Sequence, residues 1–477
     1  MKKLFLYTAI SLMTISLGFA QNETDALRYS QFNYGGTARF NSMGGAFGAL
    51  GGDFSALSVN PAGIGIYRKS EISFTPVLTY NQTGSTYFSK YNDDMKYDFN
   101  FGNIGVVFAF NRPKINENGW QGFQLGFGYN RHTSFENRTI IEGFNNQSSL
   151  MTQYLDQAIA EGSTANFDPF TTLLAWDAFL IDQSGGVYFV DMYTGNVNQR
   201  KEINTSGNIN EYNITFGGNY SDMLYLGASF GFPRVRYEEE STYEETDAQN
   251  ISPYFNSLQI KQNLTTKGSG FNFKIGAIIR PIDPVRIGVS FHSPTFYDLT
   301  DRYSTDLSSD LSFLDTTVYS PEGRFDYELT TPLRLNGSLG FVLGKIGLIS
   351  FDYEMVDYST MRLRSGDYMF SDENSVIREV YDIQHNLKAG GEIRLSPIVL
   401  RAGYALYGSP YKKGINDGSI TKISGGFGLR EESYFLDFAY VYSLSNEDYY
   451  LYSSEYTPAV KTEHLGHTFL MTLGFKF

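Results

Sequence analysis

Few residues in this sequence are placed for bond-making chemistry. His464 and His467 stand three apart near the start of a strand-like pattern, where neighbouring side chains face opposite ways, and the further ligands of a metal or haem site are missing. The glycine-rich stretch 44–52 has no Lys in the phosphate-loop position and no preceding strand. There is no Gly-x-Ser-x-Gly elbow, and the remaining His residues are scattered. No catalytic residue, metal or cofactor is assigned on these grounds. What the residue types offer instead is binding. Between residues 131 and 206, Leu150, Met151, Tyr154, Leu155, Ala158 and Ile159 recur at helical spacing, and Phe170, Leu173, Leu174, Trp176 and Phe179 form a second apolar cluster. A connecting segment this apolar reads either as a docking groove for a hydrophobic ligand or as two helices packed on each other as a lid. The candidate groove residues are Leu150, Met151, Tyr154, Leu155, Leu173, Leu174 and Phe179.

The elements that position these residues follow from a strict period of two. Phe469, Met471, Leu473, Phe475 and Phe477 alternate with Thr468, Thr472, Gly474 and Lys476. Phe271, Phe273, Ile275, Ala277 and Ile279 do so against Asn272, Lys274, Gly276 and Arg280; Val285, Ile287, Val289 and Phe291 against Arg286, Gly288, Ser290 and His292; and Ile398 to Leu406 places Arg401 opposite an apolar face. Alternation alone fits a soluble sandwich or a membrane barrel. Connection lengths separate them. About 14 strand candidates of roughly ten residues begin near Ile72, Phe99, Gln121, Asn208, Leu224, Phe271, Val285, Leu333, Ile346, Asn386, Ile398, Ile420, Tyr434 and Thr468. Short connections (280–284, 344–345, 396–397, 430–433) alternate with long ones (131–206, 233–269, 292–326, 357–384, 407–418). An even strand number with tight turns on one side and long loops on the other predicts an antiparallel transmembrane β-barrel.

Composition agrees. Tyr (36), Phe (39) and Gly (48) are abundant and Cys is absent, which removes disulfides and Cys-based metal sites. A net charge of −14 argues against nucleic acid as a partner, because phosphate neutralisation needs clustered Lys and Arg. Lys2 and Lys3, the apolar run 4–17, and Gly18 and Ala20 before Gln21 predict a cleaved export signal over 1–20. The expected division is a signal (1–20), a small-residue-rich N-terminal plug (21–70), and a barrel (71–477) whose external segment 131–206 is partly helical. The location that follows is the outer membrane of a Gram-negative cell. In this barrel Arg401 and Lys274 face the lumen, where such charges solvate the interior, anchor the plug or meet a ligand carboxylate. Glu238, Glu239, Glu240, Glu244 and Glu245 read as a solvated external face suited to bridging to lipopolysaccharide through divalent cations. Phe477 resembles the terminal aromatic of barrel-insertion signals, which implies the barrel-assembly machinery as a partner.

Asn60, Pro61 and Ala62 alone would be an ordinary turn opener. In the context of Asp53-Phe54-Ser55-Ala56-Leu57-Ser58-Val59-Asn60-Pro61-Ala62-Gly63 they resemble the hatch motif of the FadL family of outer-membrane transporters for long-chain fatty acids and other hydrophobic compounds. Thr331-Pro332-Leu333-Arg334 with Gly337, Leu400-Arg401-Ala402-Gly403-Tyr404, and 433–440 with Leu436-Asp437 are similar to later strand motifs of that family. The long insertion after the third strand departs from the family pattern, and its ligand contacts do not carry over by residue. The resemblance implies a 14-stranded barrel plugged by an N-terminal hatch. It also implies capture of a hydrophobic small molecule, fatty acid or aromatic, in an external groove, and sideways exit through a wall gap with Asn60, Pro61 and Ala62 beside it. No chemical step is implied. Some family members are protein-binding secretion accessory factors, which is the alternative role.

Overall fold

The computed structural model describes residues 22–112, 118–190 and 195–477; the expected export signal lies outside the described residues. From residue 71 the chain runs up and down in one antiparallel sheet. Its wall strands are β1 (Glu71–Tyr87), β2 (Lys90–Asn111), β3 (Trp120–Ser134), β4 (Val197–Tyr220), β5 (Leu224–Thr246), β6 (Phe255–Ile282) and β7 (Val285–His292). They continue with β8 (Arg334–Leu343), β9 (Gly347–Asp357), β10 (Ile383–Leu395), β11 (Ile398–Tyr407), β12 (Ile420–Arg430), β13 (Tyr434–Tyr449) and β14 (Val460–Lys476). Each pairs with the next, and β14 returns to β1 in one register from Glu71↔Lys476 to Thr86↔Lys461, closing a 14-strand ring. Phe477 completes the seam by exchanging backbone bonds with Ser70 at 2.9 and 3.1 Å.

The period-two pattern sorts side chains to the two faces of this wall. On β14, Phe469, Met471, Leu473 and Phe475 are exposed while Leu470, Thr472 and Gly474 are buried. The exposed face is apolar and ends in aromatic residues, Tyr97, Tyr212, Phe232, Tyr353, Tyr404 and Tyr440 at one rim and Trp120, Tyr220, Tyr434 and Phe477 at the other. The buried face is polar, with Asn103, Asn130, Glu211, Asn272, Lys274, Asp352, Glu392 and Arg401 among its members. Apolar outside, polar inside and aromatic at the rims is the arrangement lipid demands. No helix among the described residues is long and apolar enough to cross a membrane.

All fourteen expected strands are present, but several are longer than the alternation suggests. The segment 233–269, expected as a loop, is strand except for the turn at 247–254: β5 and β6 stay paired from Arg234↔Ser269 to Thr246↔Ser257. Likewise β2 and β4 start at Lys90 and Val197 rather than near Phe99 and Asn208. Beyond the aromatic rim the outer face meets water instead of lipid and carries polar side chains, so the apolar–polar contrast fades although burial still alternates on β5. The backbone groups still need partners, and antiparallel neighbours supply them. The connection after β7 likewise holds three strands, Phe296–Leu311 pairing with both Leu314–Tyr319 and Gly323–Thr330.

Residues 22–67 form no strand. They make α1 (Glu23–Ser30), α2 (Ala38–Ser42) and two 3-10 turns, Ser55–Ser58 and Pro61–Ile66. Asn22 caps α1 by accepting from the backbone N–H of Thr24 and Asp25, and Thr37 caps α2 through Phe40 N–H. Most side chains here are buried against the inner face of the ring. Bonds reach the wall on many sides: Ala38 N–H to Thr472 Oγ1 at 2.7 Å, Gly48 N–H to Asp352 Oδ2 at 2.8 Å, Tyr34 OH to Glu354 Oε2 at 2.9 Å, and Asn130 Nδ2 to Ser58 Oγ at 2.9 Å.

Candidate functional site

The Asn60 side chain caps the turn Pro61–Ile66 by accepting from Ala62 N–H at 3.1 Å, and Pro61 fits the first position, where no N–H is needed. Its amide donates to Gly48 O at 2.7 Å and reaches Ala277 O of β6 at 3.2 Å. The facing wall is glycine. A Cβ on Gly227 would lie 2.6 Å from Ala62 N, and one on Gly276 3.2 Å from Pro61 Cδ, so the turn touches backbone directly. The ladders through Gly217, Gly227 and Gly276 run unbroken here. Asn60, Pro61 and Ala62 are therefore pressed to a closed part of the wall, not beside a gap as the motif led one to expect.

The two lumenal cations named from the sequence do face inward, and both are paired. Lys274 binds Glu211, whose other oxygen accepts from Asn272 at 3.0 Å. Arg401 donates to Glu392 at 2.9 Å and Asp437 at 2.7 Å, and Arg39 of α2 reaches the same Glu392 oxygen at 3.1 Å. Arg394 and Arg430 complete the cluster at 2.9 and 2.8 Å. Arg401 thus neutralises the wall carboxylates Glu392 and Asp437, the first of which also holds Arg39 of the N-terminal segment, and is not an open carboxylate site.

The interruption in the wall lies elsewhere. β2 and β3 are paired only between Asn103↔Asn130 and Asn111↔Gly122. Above that point β2 stays with β1 up to Tyr87↔Lys90, and β3 stays with β4 up to Ser134↔Asn208. Register slips flank the parting: one between Thr75 and Pro76, opposite Gly102, and one between Arg131 and Thr133. Pro76 has no N–H to give, which suits it to such a break. Inside the seam is a mixed polar cavity of about 540 Å³ bounded by Tyr34, Gly35, Asn41, His132, Lys422 and Thr468. Outside is an apolar groove of about 770 Å³ bounded by Phe99, Phe101, Ile104, Phe127, Tyr212 and Phe232. Asn100 and Arg131 border both. Sequence reading missed this site because pairing between strands leaves no mark on either strand alone; Pro76 within an alternating run was the one local signal.

The apolar segment of 131–206 resolves toward the lid. α3 (Leu150–Glu161) and α4 (Thr172–Asp177) pack in a core with Ile141, Tyr243, Leu258, Leu307 and Tyr452, at the ends of the extended strands. Of the candidate groove residues, Leu150, Met151, Tyr154 and Leu174 are buried in that core, Leu155 and Leu173 are packed against it, and Phe179 alone is largely exposed, at 53%. The groove reading is corrected accordingly, since apolar periodicity does not say what covers a face. The acidic run is corrected at Glu245. That carboxylate is fully buried, accepts from Leu150 N–H at 2.8 Å, Gln199 Nε2 at 2.9 Å and Tyr243 OH at 2.5 Å, and so holds the start of α3. Burial raises its pKa above the usual carboxylate range against the pull of these donors. Met151→Ala, at a position with 0% exposure, should cost about 2–5 kcal/mol of lid packing. The expected result is rapid protease nicking within 150–190 while the unboiled barrel keeps its gel mobility; equal nicking in wild type would overturn it.

No protein-family model matches the sequence, and no curated protein matches it. Solved structures do. A Pseudomonas aeruginosa FadL homologue aligns with TM-score 0.57 at 12% identity, over 93% of this chain and 98% of that one. The P. putida toluene transporter TodX aligns with TM-score 0.55 at 10% identity (93% and 99%), and the Ralstonia pickettii toluene transporter TbuX with 0.53 at 14% (93% and 99%). Near-complete coverage of both chains, the 14-strand ring and the strandless N-terminal segment inside it together give this chain the fold of the FadL-type channels.

Proposed function

We propose that the protein is a passive outer-membrane channel for hydrophobic small molecules, fatty-acid-like or aromatic, which pass the lumen and leave sideways between β2 and β3. The observation that carries this reading is the shared border at Asn100 and Arg131, where a cavity inside the ring and an apolar groove outside it meet at a seam without backbone pairing. Residues 21–70 act as the hatch, with Asn60, Pro61 and Ala62 as its wall anchor, and 71–477 as the channel. Toluene transport by neighbours of the same fold supports the ligand class. Sideways exit suits such a ligand, because each methylene gains about 0.8 kcal/mol in lipid over water. The chain needs no chemical step for this. Phe477, 66% exposed at the rim, is the contact for the assembly machinery, and Glu238, Glu240 and Glu244 remain as the acidic face toward lipopolysaccharide.

The test is uptake of toluene and of a fluorescent fatty acid into vesicles carrying the protein. Uptake should exceed that of empty vesicles, and Asn100→Phe, which fills the shared border, should reduce it several-fold at equal folded barrel. Uptake no faster than in empty vesicles would reject the channel and leave the protein-carrying role as the better account.

A further inference from the structure

We propose that the free outer edge of β2 is a gate leaf, fastened over the seam by an ionic zipper whose signs alternate. This rests on the sideways passage proposed above and concerns what opens it. Beyond Asn103, β2 has β1 on one side and no backbone partner on the other among the described residues. Residues 131–145 run over the inner side of the β1–β2 hairpin, bonded to β1 through Asn81, Thr83 and Ser85 and tied to the unpaired part of β2 by charged side chains. Nearest the membrane, Arg131 Nη2 is 3.0 Å from Asp98 Oδ2, which also accepts from Asn100 and Ser134. Next, Lys96 Nζ is 3.0 Å from Glu136 Oε2. Then Arg138 Nε is 3.0 Å from Asp94 Oδ2, and Lys90 Nζ is 2.5 Å from Glu142 Oε1.

The order of signs matters. Up the β2 edge it runs minus, plus, minus, plus; up the facing edge it runs plus, minus, plus, minus. A slip of one pair would set like charges opposite one another, so the zipper closes in a single register. Such pairs differ from a backbone ladder in one respect: salt loosens them. Side-chain exposure falls from 49% at Lys90 and 46% at Arg138 to 12% at Arg131, so the outer pairs are screened first and the inner pair is the last latch. Neutral bonds from Asn81 to Glu136 O and from Thr83 to Asn137 add to the closed state. The foot of the leaf is already weak. Between Phe74↔Leu473 and Val77↔Leu470 the pairing of β1 with β14 skips Thr75 and Pro76, and Gly102 is the extra residue on β2. Bending concentrates where ladder bonds are missing.

The absence of Cys makes the chain ready for labelling. Spin labels on Met95→Cys and Phe144→Cys, both outward-facing and outside the zipper, report seam width by pulsed electron resonance in lipid discs. At low salt one short distance is expected. At about 1 M salt, where the Debye length is ~3 Å, and in Lys96→Ala/Arg138→Ala at low salt, a longer distance should grow in. The exchanged pair Asp98→Arg/Arg131→Asp should keep the short one. Distances unaltered by salt and by the double alanine, in barrels whose gel mobility shows them folded, would overturn the zipper. Bridging the same two Cys with a reducible cross-linker should cut toluene uptake several-fold, with recovery on reduction; uptake undiminished by the bridge would overturn its role as a gate. A seam that widens with salt in a wild type that moves no toluene would uphold the zipper and reject the channel.

Discussion

A chain lacking residues 22–60 is expected to assemble into a ring that leaks. The strands hold one another by their own backbone bonds, and β14 still closes on β1, so removal of the N-terminal segment does not open the wall. The inner face it leaves behind is polar, with Asn103, Asn130, Glu211, Asp352 and Arg401 able to take up water. A ring of this strand number is wider than the eight-stranded barrels that side chains alone can fill. Conductance across a planar bilayer should rise on the order of tenfold over the full chain, and cells should become sensitive to bulky polar antibiotics. Full-length conductance in the truncated chain would show that the loops, not this segment, make the seal.

Glu392→Ala should produce a related defect by a different route. This carboxylate on β10 accepts from Arg39 of the N-terminal segment and from Arg394 and Arg401 of the wall. Its loss leaves Arg39 and Arg401, both buried, facing each other without the anion between them. Removing one member of a buried ion pair costs about 3–5 kcal/mol, and here the wall has its ladders to resist the strain while α2 has few. The penalty should therefore fall on α2: protease should cut within 22–60 in folded barrels, and conductance should lie between those of the full and truncated chains. Glu392→Gln, which keeps one acceptor oxygen for Arg39 and Arg401 to share, should be milder. A Glu392→Ala barrel as tight and as protease-resistant as wild type would remove Arg39 from the account of the seal.

How far the sequence alone could be read depended on what each face of a strand meets. Where the outer face meets lipid, as in 469–477 or 271–279, period two is strict and all fourteen strands could be placed. In 233–246 and 255–269 the outer face meets water instead of lipid, and the same backbone conformation leaves a fainter trace. Even there a weaker phase survives: Tyr237, Ser241, Tyr243 and Glu245 share the buried face, which would have separated Glu245 from the solvated run around it. Asn60, Pro61 and Ala62 marked a segment packed to the wall but not which stretch of wall, because a turn carries no information about its distant partner. For the same reason the parting of β2 from β3 was out of reach. It is a property of two strands and of the ion pairs between Asp98 and Arg131 or Lys96 and Glu136, whose separation in sequence is tens of residues.

The contacts of the N-terminal segment also set an order of assembly. Ala38 bonds to Thr472, 434 residues away, and Gly44 to Ser424, 380 residues away. Contacts of such separation form late, because the chain between must first be arranged. The first part of the protein to be made is thus among the last to find its place. It waits for β12 and β14, and the closure of β14 on β1, from Glu71↔Lys476 to Thr86↔Lys461, spans as much of the chain and is as late an event. Closing the ring and seating α2 are therefore one late event, and whatever slows the docking of α2 leaves its partners on β12 and β14 uncovered for longer.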